Sequence, residues 1–136
     1  MQKKLKVYLA GQPNEYENNW KEEFKKLNCF DCYDWEFDSD QSSADTFFPE
    51  DMKAVHSADY LVANPGIAPS EGTWMEIGYF YGDNVKIPGD FCDKLIIIWR
   101  EGRNPKWSLD FVKRSGWVVG SVKEAKDKLR EISVRD

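Results

Sequence analysis

Lys94-Leu-Ile-Ile-Ile-Trp99 is the stretch on which the fold turns. Its apolar run is unbroken and largely β-branched, with no polar alternation, so neither face of the strand it forms meets water. Such strands lie centrally in parallel sheets that helices cover on both sides. Read outward from there, the chain alternates strand and helix. Residues 5–10, closed by the turn cluster Gly11-Gln12-Pro13-Asn14, form a first strand; 32–37, 60–63 and 117–119 form others. Trp20, Phe24 and Leu27 recur at helical spacing over 16–28, and Val122, Ala125, Leu129 and Ile132 share one stripe over 121–132. Further helices are expected from Pro49 to about residue 57, over 73–81 and over 107–114, with 38–46 a polar loop. The pattern predicts one α/β domain over 1–136, with a central parallel sheet of about five strands and helices on both faces. Ligands of such sheets bind beyond the carboxyl ends of the strands.

Composition narrows the function. Nineteen Lys and Arg against 24 Asp and Glu give a formal charge of −5, which argues against a nucleic-acid polymer as partner. No apolar run approaches the roughly 18 residues needed to cross a bilayer. The opening Met-Gln-Lys-Lys-Leu-Lys leads into no signal segment, so the expectation is a cytoplasmic protein with no membrane partner. Three cysteines are too few and too uneven for a disulfide framework, and Cys29-x-x-Cys32 lacks a second ligand pair. They read as reduced thiols, with no metal site. Eight Phe, six Tyr and six Trp exceed what a small core requires. Trp20 and Phe24 read as core, whereas Tyr8, Trp35, Phe47 and Trp74 fall near ligand-side loops.

Two segments carry candidate chemistry. Asn64-Pro-Gly-Ile-Ala-Pro-Ser-Glu-Gly-Thr-Trp-Met-Glu-Ile-Gly runs from the third strand into a helix, with Gly66, Ser70 and Gly72 shaping the loop. Thr73-x-x-Glu76 matches a capping box, in which Glu76 would serve only the backbone. The alternative places Glu76 in an apolar pocket as a desolvated nucleophile, kept ionised by the helix dipole. Gly78, unfavourable within a helix, is read as a point of close approach. Asp51 is the second carboxylate, expected early in its helix; Asp59, at the amino end of the third strand, reads as structural, and His56 as a partner of its helix's end. Two carboxylates at an aromatic-lined pocket suit glycosidic chemistry, one attacking the anomeric carbon and one managing a hydroxyl or a proton.

Val7-Tyr-Leu-Ala-Gly11, Asp51 with Ser-Ala-Asp59, and Gly72-Thr-Trp-Met-Glu-Ile-Gly78 together resemble the nucleoside 2-deoxyribosyltransferase family. The resemblance implies a flavodoxin-like three-layer sandwich and a homodimer or larger homo-oligomer with shared active sites. It implies no metal or organic cofactor. It makes Glu76 the nucleophile, Asp51 the residue that holds the sugar or assists proton transfer, and Tyr8 a hydrogen-bond partner near Glu76. Gly11, Gln12, Trp35, Gly66, Ser70 and Gly72 would bind substrate. Transferases of the family commonly carry Asp six residues before the nucleophile; this chain has Ser70 there. The loop is instead similar to that of the nucleoside 5′-monophosphate N-glycosidase branch, in which the matching serine binds phosphate and a second serine, here Ser108, comes from the neighbouring subunit. Lys106, Arg100 and Arg103 are the cations available to such a phosphate.

The resulting expectation is cleavage of the N-glycosidic bond of a nucleoside 5′-monophosphate or nucleoside through a covalent glycosyl–Glu76 intermediate. Base exchange between deoxynucleosides is the alternative within the family. A non-catalytic nucleotide-binding module is the alternative of another class. A phosphoacceptor receiver is disfavoured, because 7–11 lacks an acidic pair. The 83–93 segment, with Pro88-Gly89, is longer than a plain turn and reads as a lid or a subunit contact.

Overall fold

The computed structural model describes residues 3–103 and 106–135, the side chain of Lys106 excepted. Five strands, β1 (Leu5–Gly11), β2 (Phe30–Asp34), β3 (Tyr60–Asn64), β4 (Leu95–Ile98) and β5 (Trp117–Val119), form one sheet in the order β2-β1-β3-β4-β5. All neighbours pair in parallel. That order is the flavodoxin-like one, with its crossover reversal between β1 and β3. Among the described residues the helices are α1 (Trp20–Lys25), α2 (Trp35–Asp38), α3 (Ala44–Ser57), α4 (Glu71–Asn84), α5 (Lys106–Val112) and α6 (Val122–Ser133), with a 3-10 turn at Asn14–Tyr16.

Two cores follow from the two-residue period of the strands. Val7, Leu9, Tyr60, Val62, Ile96 and Ile98 face α1 and α6, where Trp20, Phe24, Ala125, Leu129 and Ile132 complete the layer. Tyr8, Ala10, Leu61, Ala63, Leu95 and Ile97 face the other way, against Val55 of α3, Ile77 and Phe80 of α4 and Val112 of α5. The unbroken apolar run of β4 thus has a helix layer on each side, the architecture its sequence predicts.

Boundaries differ in instructive places. The second strand spans 30–34 rather than 32–37, because the Asp34 carboxylate accepts from Glu36 N at 3.0 Å and turns Trp35-Glu-Phe-Asp into a helical turn. Helix α3 starts well before Pro49, at Ala44, where the Thr46 hydroxyl accepts from Ser43 N. Pro49 lies inside it and costs one backbone bond. The 83–93 segment is no lid: α4 takes its first residues, and the rest is tied at the amino end of β4, opposite to the strands' carboxyl ends. There the Tyr81 hydroxyl donates to Asp90 O and accepts from Gly89 N, Cys92 N donates to Ser115 O, and Phe91 packs edge-on to Trp117. Cys29 is exposed and Cys32 sits on β2, its thiol pushed up to about 12 by burial. Among the described residues no helix is long and apolar enough to cross a membrane, and no group of three His, Cys, Asp or Glu converges as a metal ion requires.

Candidate active site

A cleft of about 510 Å³ opens at the carboxyl ends of β1 and β2, between α2, α3 and α4. Its walls include Gly11, Trp35, Phe47, Asp51, Ser70, Gly72 and Glu76. Six of the residues singled out as catalytic or substrate-binding, from four separate segments, therefore meet in one cavity.

Glu76 reaches it from the second turn of α4. The helix begins at Glu71, two residues before the sequence reading, so Thr73 lies inside it and Thr73-x-x-Glu76 forms no capping box. The carboxylate instead accepts from the hydroxyl of Tyr8, a wholly buried residue of β1. Burial pushes the Glu76 carboxyl up to about 7; the Tyr8 bond acts the other way, and the nearby Asp51 charge adds to the rise. Burial is thus the largest influence on this carboxyl. The Tyr8 phenol is itself held protonated by burial and by Glu76, which makes it a fixed donor. Gly78 is not a close-approach site, since a Cβ there meets only open space.

Asp51 lies in the middle of α3, not at its start. It is buried, and its carboxyl is raised by that burial while the hydroxyls of Ser39 and Tyr33 oppose the rise. The Tyr33 hydroxyl donates to Asp51 Oδ1 at 3.1 Å. Asp59 accepts from Lys6 N at 2.8 Å, the structural bond expected at the sheet's amino end. His56 lies beside the Tyr79 hydroxyl and Asp83, outside the cleft.

The loops at the strand ends are built around glycine. Gly11 adopts φ +143°, and a Cβ on it would stand 2.2 Å from Asn64 O of β3. Its carbonyl accepts from the Trp35 indole at 3.3 Å, which turns that ring onto the cleft wall. Behind the ring sits Lys21, wholly buried, its ammonium 4.3 Å from the indole centroid and paired with Asp34 and Glu36 at 2.7 Å. The Ser70 hydroxyl donates to Pro65 O at 2.7 Å and accepts from the Gln12 amide at 2.8 Å. Gly66, at φ +68°, lets its carbonyl face Arg103. Gln12 and Gly66 thus support the loop behind Ser70 rather than the cleft wall.

Tyr8 lies beneath the cleft and acts on it through Glu76. Trp74 faces away, packed on Trp99 and under the Arg103 guanidinium. Arg103 donates to Gly66 O and Ala68 O, and Arg100 pairs with Glu17, so neither lines the cleft. Lys106, as a side chain, lies outside the described residues. Ser108 is half-buried on α5 and is not part of this chain's cleft. The sequence reading missed Gln41, Phe48, Met52 and Met75 on the cleft wall and Tyr33 behind it. Starting α3 at Ser43 would have shown Phe48, Asp51 and Met52 on one helical face, and pairing the strands in parallel register would have set Tyr33 beside Tyr8.

No family model matches the chain, and no curated protein matches it. Among solved structures it is similar to the Clostridium botulinum CMP N-glycosidase BcmB, with a TM-score of 0.61 and 21% identity over 96% of this chain and 99% of that one. It is similar also to BlsM, solved in solution, with a TM-score of 0.59 and 21% identity over 91% and 86% of the two chains. Five parallel strands in this order, matched along almost their whole length by two solved proteins, make the chain a flavodoxin-like α/β sandwich with the fold of BcmB and BlsM.

Proposed function

We propose that the chain cleaves the N-glycosidic bond of a nucleoside 5′-monophosphate or nucleoside through a covalent glycosyl–Glu76 intermediate. The observation that carries this reading is Glu76 itself: a carboxylate desolvated in an aromatic-lined cleft, held by a buried tyrosine, with a second carboxylate, Asp51, lining the same cleft. Desolvation raises its nucleophilicity, and the Tyr8 bond fixes the attacking oxygen. In its ionised form Glu76 would attack the anomeric carbon as the base departs, Asp51 would hold the sugar hydroxyls, and Trp35 and Phe47 would stack on the base. Water attacking the ester would then release the sugar and regenerate the carboxylate.

The monophosphate is supported by the start of α4, where Ser70, its hydroxyl proton held by Pro65 O, lines the cleft. The N–H groups of that helix's first turn have no intrahelical acceptor and open beside the cleft residues Glu71, Gly72 and Thr73. The similarity to a CMP N-glycosidase agrees with this reading. One observation favours the uncharged nucleoside, and with it base exchange: no Lys or Arg is among the described residues lining the cleft. Ser108 would join from a second copy, because Trp107 and Phe111, four residues apart on the same helix, are 71% and 75% exposed.

Chromatography of base release from a panel of nucleosides and 5′-monophosphates, with and without a free acceptor base, tests all of this. Release from monophosphates alone identifies the hydrolase, and exchange on nucleosides identifies the transferase. Glu76→Ala should lower turnover by at least about a thousandfold, as loss of a nucleophile does. Binding without turnover of any substrate would leave a nucleotide-binding module.

A further inference from the structure

Glu76 and Asp51 are each held by a tyrosine, and the two tyrosines form one stacked pair. Tyr8 and Tyr33 are register partners on β1 and β2. Their rings lie 5.3 Å apart and 15° from parallel. Tyr8 donates to Glu76 and Tyr33 to Asp51. Tyr33 is absent from the cleft wall, so whatever it does to a substrate passes through Asp51.

We propose that Tyr33 is a positioning residue for Asp51: its hydroxyl fixes the carboxylate, and its ring, stacked on Tyr8, ties that carboxylate to the position of Glu76. The inference rests on the reading of Glu76 and Asp51 as the reacting and sugar-holding groups. Its physical basis is the contrast between helix and sheet. Asp51 comes from α3 and Glu76 from α4, whereas Tyr8 and Tyr33 are anchored on adjacent hydrogen-bonded strands. Two donors on that rigid pair hold two acceptors that come from different helices, which is how a site keeps its groups in reacting geometry.

The groups whose charge or hydrogen bond acts with Asp51 are Tyr8 from β1, Tyr33 from β2, Ser39 after α2, Glu50 beside it on α3, Lys21 from α1 and Glu76 from α4. Tyr33 is pushed up to about 12, chiefly by burial, so it keeps its proton and remains a donor throughout the neutral range. Without that donor, burial and Glu50 push the Asp51 carboxyl higher, opposed only by Ser39 and Lys21.

Tyr33→Phe keeps the ring and its stack and removes only the hydroxyl. The titration of Asp51, followed by carbon-13 NMR of its carboxyl, should shift upward by about half a pH unit or more. Thermal unfolding should stay within a few degrees of the parent, and kcat/KM should fall about tenfold, the size of one lost hydrogen bond. In an Asp51→Asn background the same substitution should have no further effect, since coupled residues do not add. An unmoved Asp51 midpoint, or an undiminished loss in the Asp51→Asn background, overturns the proposal. Difluorotyrosine at position 33, a stronger donor of almost the same shape, should move the midpoint downward and serves should the Phe variant not fold. The NMR readout needs no turnover, so a parent protein that cleaves no substrate would refute the proposed function while the Asp51 shift still decided the role of Tyr33.

Discussion

Glu76 holds two requirements in opposition. As a nucleophile it must be ionised and poorly solvated; as a buried group it favours its proton. Its carboxyl at about 7 is the compromise, and it sets a direction for activity with pH. The kcat/KM profile should show an acid limb centred near pH 7, falling about tenfold per unit below it. In Tyr8→Phe the limb should move to higher pH, because the bond that favours the carboxylate is gone. The same shift acts on stability. Unfolded, Glu76 titrates near 4.5; folded, near 7. Between those values the folded state keeps a proton that the unfolded state has released, so this group's contribution is whole below about 4.5 and lost as pH rises through 7. Glu76→Gln, uncharged at every pH, should therefore gain on the order of 1–3 kcal/mol over the parent at pH 8 and little at pH 4, measured by urea unfolding. A gain of the same size at both values would mean that packing, not desolvated charge, separates the two proteins.

At the scale of elements, the cleft depends on how β1 ends. Gly11 pairs with Asn64, and the two chains approach so closely that a methyl group there would overlap a backbone carbonyl. Nothing flexible can yield, since the carbonyl belongs to a central strand and accepts from Gln12 N. Gly11→Ala should cost upwards of about 2 kcal/mol in chemical denaturation and displace Trp35, whose indole hangs from the Gly11 carbonyl. The sequence displayed the glycine and its turn but not the neighbour that makes it necessary. That division recurs throughout. The strands and the amphipathic helices were legible, because burial imposes periods of two and 3.6 on them directly. Short-range hydrogen bonds were not: Asp34 converts an aromatic run that reads as strand into α2, and Ser70 rather than Thr73 stands at the head of α4. The second of these misreadings obscured the release of Glu76 from any duty to its own helix. Lys21 shows the same limit: it stands between the apolar positions Trp20 and Phe24 with no sequence sign of Asp34, Glu36 and Trp35, which enclose it.

The whole molecule leaves large apolar side chains in water at several places, Tyr16, Phe37 and Ile67 among them. The sheet's two faces are covered by helices, yet α5 leaves Trp107 and Phe111 largely in water, an apolar pair on the helix that carries Ser108. Two large rings so exposed are expensive for a lone molecule and ordinary at an interface between copies. If that face docks on a second copy's cleft, Ser108 reaches a substrate there, and activity and assembly must fail together. Light scattering should then report a dimer or larger assembly for the parent and a smaller particle for Trp107→Asp with Phe111→Asp. Trp107 and Phe111 are not among the residues lining the chain's own cleft, so these substitutions should leave the Tyr8–Glu76 arrangement intact and change the carbon-13 midpoint of Glu76 by less than about half a unit. Turnover should drop with dilution in the parent and stay low at every concentration in the double variant, because only the parent's sites fill as copies associate. Ser108→Ala separates contact from chemistry: it should preserve the assembly while selectively weakening the use of 5′-monophosphates, by about tenfold, with nucleosides spared. A monomeric parent with full activity would assign the exposed rings another purpose and confine every functional residue to a single chain.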